Sequence, residues 1–313
     1  MRAFRRPVPF IIGLALTLTG AGCGQATGAA SNGIPAASNS VTPGTLTPST
    51  ARAVVTQLWA SRERALSTLD ANQLPAVESG AARAVDAAYI RGALCKCEPK
   101  KSEHPLAAVI PLIPQGATDA FIAQVRTVNS LNEHPWYLIA VTRSDGQWSI
   151  ELVTFGGYQA AAPMHRLTTA AGYIPRVTQA DAKRMARLVM GTVRYLNQHE
   201  NHSSVTDYGA TLTVRDQLER GDGIFGLHLG NGKEFACYTM HQIDTYTLAG
   251  GLAQSDDRKQ WGALLSPGSY SAVSVDRAES VCVVGSGRTT GPGALSFQYD
   301  TQVVRTNGTP LGT

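Results

Sequence analysis

Between residues 48 and 70 the apolar positions Val55, Leu58, Trp59, Leu66 and Leu69 recur at helical spacing and form one stripe. Pro48, Ser49 and Thr50 are good helix-start residues, so the spacing predicts a helix here. A second, shorter helix is expected around Leu74 to Tyr89. The pattern then changes. "LAAVIPLIP" (106–114) is a continuous apolar run of strand length. "WYLIAVTRSDGQWSIELVTF" (136–155) reads as a hairpin, because Asp145-Gly146 between two apolar runs is a strong turn signal.

After a small, proline-punctuated join the order repeats. "TQADAKRMARLVMGTVRYL" (178–196) opens with a capping box, Thr178 to Asp181, and Met185, Leu188, Val189, Thr192 and Leu196 share a face. "GIFGLHLGNGKEFACYTMHQIDTYTL" (223–248) alternates and turns at Gly230-Asn231-Gly232. A helical or loop interval near Trp261 and a closing strand, "SVCVVGSG", follow. Long helix first and curved antiparallel sheet after, twice over, predicts an α+β chain of two helix-on-sheet domains at 48–160 and 177–306. Residues 161–176 are the expected linker and 307–313 a tail.

The N-terminus adds a compartment. Arg2, Arg5 and Arg6 precede a short apolar run from Phe10 to Leu18, the layout of an export signal over residues 1–22. That run falls short of the ~20 residues a spanning helix needs. Arg5-Arg6 raises a twin-arginine route, which Pro7 and Val8 fit poorly. The residues before Cys23 resemble a bacterial lipoprotein lipobox: Ala21 and Gly22 fit its small positions, while Gly20 stands where Leu, Val or Ile is usual. The resemblance implies that Cys23 carries acyl chains and holds the protein on the outer face of the cell membrane. Two or more chains anchor stably where one does not. Residues 23–47 are rich in Gly, Ala, Ser, Thr, Pro and Asn and carry no charge, which predicts a disordered tether.

Charge changes the picture little. The chain is +4, and loss of the three signal arginines leaves 24 basic against 23 acidic side chains, about +1. No clustered basic face supports nucleic-acid binding. "LWASRERALSTLDANQLPAVESGAARAVDAAY", followed by a hairpin with a tryptophan after Asp-Gly, resembles actinobacterial surface lipoproteins of uncharacterised function. Their folded parts resemble NTF2-like or cystatin-like helix-on-sheet modules. The resemblance implies a cell-envelope lipoprotein, and modules of this kind serve enzymes, ligand binders and scaffolds alike.

Four cysteines remain beside Cys23, and an even number in an exported chain favours disulfides. Cys237 and Cys282 lie in strand-like segments and would bridge if those strands are neighbours. Cys95 and Cys97 would then pair with each other, or each would pair with a second-half cysteine; three connectivities are open. Cys95-x-Cys97 is too close for a zinc knuckle and lacks the spacing of a redox pair, so no metal is expected there. "GDGIFG" (221–226) matches a dinucleotide fingerprint but runs into a strand instead of a helix. "HENH" (199–202) lacks the i, i+4 histidine spacing of a helical zinc site. No Gly-x-Ser-x-Gly elbow on a strand-to-helix turn and no Ser-x-x-Lys occurs, so no catalytic residue and no cofactor are expected. What remains is a non-catalytic envelope protein that binds a protein partner or serves as a scaffold. The alternatives are a small-ligand binder using a sheet pocket, or an enzyme whose site is assembled from distant residues.

Overall fold

The structure is a computed structural model that describes residues 46–96, 99–129, 131–157, 172–199, 205–207, 212–230, 233–253, 268–286, 294–298 and 302–310. The expected signal segment, Cys23, nearly all of the tether, Cys97, most of the join, the end of "HENH" and Trp261 lie outside these residues.

Helix α1 spans Pro48–Thr68. The Thr47 hydroxyl accepts from the Thr50 N–H at its start, and Leu69, in the left-handed region, closes its end. The second expected helix is split in two. A 3-10 turn covers Ala71–Ala76 and α2 covers Gly80–Leu94. Pro75 cannot continue a helical ladder, and residues 77–79 are diverted to a bridge along the strand at Ile150.

Strands β1 (Leu106–Pro114), β2 (Ala120–Thr127), β3 (Trp136–Ser144) and β4 (Gln147–Gly157) form an antiparallel meander. The short β5 (Tyr173–Ile174) adds in parallel beside β1, giving the order β4-β3-β2-β1-β5. The β3–β4 hairpin turns at Asp145 and Gly146, both at positive φ, with Ser144 opposite Gln147. Helix α3 (Gln179–His199) begins with the expected box: the Thr178 hydroxyl accepts from the Asp181 N–H, and the Asp181 carboxylate accepts from the Thr178 N–H.

The second sheet is built from β6 (Val205–Asp207), β7 (Leu212–Gly230), β8 (Lys233–Ala253), β9 (Ser269–Gly285), β10 (Ala294–Gln298) and β11 (Gln302–Pro310). Its order is β10-β9-β8-β7-β6, and β11 pairs with the first half of β9 beside β10. Residues 307–310 therefore belong to the sheet. Strand β9 is much longer than "SVCVVGSG" suggests, because its first half is paired on both sides, by β8 and β11.

The sheets pack face to face. Ile113, Phe121, Tyr137, Ile139, Val141 and Ile150 turn from the first sheet towards α1 and α2. Leu112, Ile122, Leu138, Ala140 and Leu152 turn the other way, into one apolar cluster with the second sheet and α3. Helix α3 covers the far face of β7 and β8. The chain is thus mixed helix and sheet, with α1 on the first sheet, α3 on the second, and α2 reaching both the first sheet at β4 and the second at β9 and β11. Among the described residues, no helix is long and apolar enough to cross a membrane.

Candidate functional site

The registers at the seam between the sheets contain two bulges. In β4, Val141 pairs with Ile150 and Ala140 with Leu152, so Glu151 is the extra residue, turned out of the regular alternation. In β7, Arg220 pairs with Met240 and Ile224 with Tyr238, which leaves Gly221, Asp222 and Gly223 opposite Thr239 alone. The "GDG" of the apparent dinucleotide fingerprint is therefore a bulge within a strand.

The β4 bulge opens onto a cleft of about 200 Å³ lined by Gly80, Ala81 and Ala84 of α2, Glu151 and Leu152 of β4, Phe225, Thr239, His241 and Ala278, and the β7 bulge lies behind its polar groups, with Gly221 against His241 and Gly223 against Glu151. Missing side chains make the room. A Cβ on Gly221 would lie 2.9 Å from His241 Nε2 and 3.0 Å from the Thr239 Cβ. One on Gly80 would lie 2.9 Å from the Glu151 Cγ, and one on Gly223 3.3 Å from Glu151 Oε1. Gly80 and Gly223 also hold positive φ, so a side chain at either is strained whatever the space.

The polar groups of the cleft are fixed from behind. The Thr142 hydroxyl donates to Glu151 Oε2 at 2.9 Å, yet burial dominates and raises the Glu151 pKa above the ordinary carboxylate range. On the second sheet His241 Nδ1 donates to Asp276 Oδ1 at 2.7 Å, and Arg305 reaches Asp276 Oδ2 at 3.0 Å. Burial pushes the Asp276 carboxyl up, but the hydrogen bond and charge of His241, with Arg305, outweigh it and hold the pKa below the usual range. An ionised Asp276 accepts the Nδ1 proton of His241, which fixes the ring and turns Nε2 to the Gly221 side. Thr239 Oγ1 is buried and has no hydrogen-bond partner. These groups can orient a small polar molecule and exchange a proton with it.

The cysteines are partly placed. Cys237 and Cys282 sit directly opposite each other on β8 and β9 and are joined. Cys282 Sγ lies 3.6 Å from the Thr154 hydroxyl of β4, so the bridge faces the first sheet across the seam. Cys95 is also disulfide-bonded, to a partner outside the described residues. Trp59 is buried in the first core, and Trp148 packs edge-on to Phe121.

Two charged groups lie away from the cleft. Arg62 is buried beside α2 and meets Glu63 and Glu78 at 2.9 Å each and Asp86 at 2.6 Å; its guanidinium also lies over the Trp59 ring. Burial, with the negative charge of Asp86 beside it, pushes the Glu78 pKa well above the ordinary range despite Arg62. Burial also raises that of Glu63. Under α3, Asp181, His228 and Glu234 bring possible metal-ligand atoms within 4.8 Å of one another.

Local pattern could not have located the cleft, since its residues come from positions 80 to 278. The glycine pair at 221 and 223 within an alternating strand is the one signal that marks a bulge beforehand. Comparison with known proteins gives no matching family model, no matching curated sequence and no matching solved structure.

Proposed function

We propose that this chain is an exported, lipid-anchored binding protein of the cell envelope, whose seam cleft takes a small polar ligand without transforming it. Cys23 is the anchor and the uncharged stretch behind it the tether. The helix-first, sheet-after order in each half supports two modules of NTF2-like or cystatin-like kind. One observation carries the ligand-binding reading: the cleft combines apolar walls with three convergent polar side chains, Glu151, Thr239 and His241. That is the usual make-up of a small-molecule site. Its volume is below the ~300–1,000 Å³ of pockets for drug-sized molecules, which points to a compact ligand. The sheet faces themselves are filled by side chains, so the site lies at the joint between sheets and not in a sheet pocket. Only three large apolar side chains are exposed among the described residues, Leu94, Leu131 and Met190, which gives the scaffold reading less support.

A second reading, proton-transfer catalysis, rests on the Asp276–His241 pair, which is oriented as the base of a hydrolytic triad is. A thermal-shift screen of small polar metabolites on the full-length chain, its Gly221→Ala variant and its Glu151→Gln variant tests the primary reading. A ligand at 100 times its Kd stabilises by about 2.7 kcal/mol. At least one compound should stabilise the wild type and fail on both variants. The reading is lost if no compound stabilises the wild type, or if every stabilising compound acts equally on all three. Chemical conversion of the ligand would favour the second reading.

A further inference from the structure

The group under α3 lies on the face of the second sheet opposite the seam. Glu234 is the second residue of β8, His228 stands across from it near the end of β7, and Asp181 occupies the first turn of α3. His228 Nδ1 is 3.3 Å from both Glu234 oxygens and 3.9 Å from Asp181 Oδ1. Zinc bonded tetrahedrally to nitrogen and oxygen at ~2.0–2.2 Å holds its ligand atoms about 3.3 Å apart. The three side chains are therefore nearly at coordinating separation already.

The ligands are oriented from outside. Asp181 Oδ2 accepts from both the N–H and the hydroxyl of Thr178, at 2.6 and 2.5 Å, which leaves Oδ1 directed at the group. The Glu234 carboxylate is fully buried. Such outer contacts are what metal-binding carboxylates carry. Charge points the same way. Arg184 bonds to both Asp181 and Glu234. Two carboxylates and one guanidinium leave a deficit of one positive charge when the imidazole is neutral. A divalent cation in place of Arg184 removes that deficit with the imidazole neutral, the form that binds metal. Arg184 keeps a quarter of its side chain exposed and has solvent to move into.

We propose that Asp181, His228 and Glu234 form a zinc site, and that Arg184 is the internal cation occupying it when zinc is absent. One nitrogen and two carboxylates suit zinc among the common divalent ions, with water as the fourth ligand. The site binds the helix start of α3 to the β7–β8 hairpin and does not depend on the seam cleft.

Zinc alone is the probe, titrated calorimetrically into the full-length chain in detergent after chelator treatment. The wild type is expected to take up one zinc per chain, and His228→Ala to bind at least tenfold more weakly. Arg184→Met is expected to bind more tightly than wild type, because the competing cation is gone. Far-ultraviolet circular dichroism checks that each variant is folded. Absence of uptake by folded wild-type protein overturns the proposal, as does uptake that His228→Ala leaves unchanged. Arg184→Met binding no more tightly than wild type overturns the role given to Arg184.

Discussion

At the residue scale, Arg62 and its three acidic neighbours form a buried ionic cluster. A buried guanidinium persists only where its donors are satisfied, and Glu63, Glu78 and Asp86 supply the acceptors. Three carboxylates exceed one cation, and the molecule meets the excess by keeping protons on acids. Glu78 and Glu63 have raised pKa values, so the folded state holds protons that the unfolded chain releases near ~4.3. Their contribution is complete below the ordinary glutamate range and is lost as pH rises through their folded values. Asp181 and Asp276 act in the opposite sense. Burial raises both, but Thr178 and Arg184 at the first, and His241 and Arg305 at the second, bring them below the usual range. Their contribution is present above ~3.9 and lost as pH falls. Urea unfolding between about pH 2 and pH 8 separates the two sets, the aspartates acting below ~3.9 and the glutamates above ~4.3. Glu78→Gln, a mimic of the protonated acid, should flatten the decline in stability that the wild type shows above the glutamate range. Parallel curves for the two proteins would refute the assignment to Glu78. Arg62→Met, which strands the acids, should cost about 3–5 kcal/mol.

At the scale of elements, the parts set by neighbouring residues are legible in the sequence. The Asp145-Gly146 turn, the Thr178–Asp181 box and the α1 stripe each depend on contacts within a few positions, and each forms as its pattern predicts. The Cys237–Cys282 bridge is legible because both cysteines lie in alternating strands, although only the register fixes the pairing. Strand β2 is not marked in advance. Its residues 121–125 are buried on both faces and include Gln124, so alternation is lost. The second helix divides for a non-local reason, the bridge of residues 77–79 to the β4 edge. The bridge between β8 and β9 closes a separation of 45 residues and sits against Thr154. Replacing Cys237 and Cys282 together by alanine should therefore lower the unfolding free energy by about 2–4 kcal/mol. An unchanged urea midpoint would mean that the strands are held without it.

At the scale of the whole molecule, the first sheet is covered twice, by helices on one face and by the second sheet on the other. This is why the cleft escapes the sequence: Gly80, Glu151, Thr239 and His241 meet only once both sheets have formed and packed. The same packing ties the cleft to the shape of the seam, so a small change at Gly221 is felt by His241, 20 positions along the chain. Occupancy of the cleft is read by native mass spectrometry of the full-length protein and its Glu151→Gln/His241→Ala variant, each exported and purified without denaturation. A small organic mass is expected on the wild type and not on the variant. Identical masses for the two proteins, after allowance for the substitutions, would contradict it.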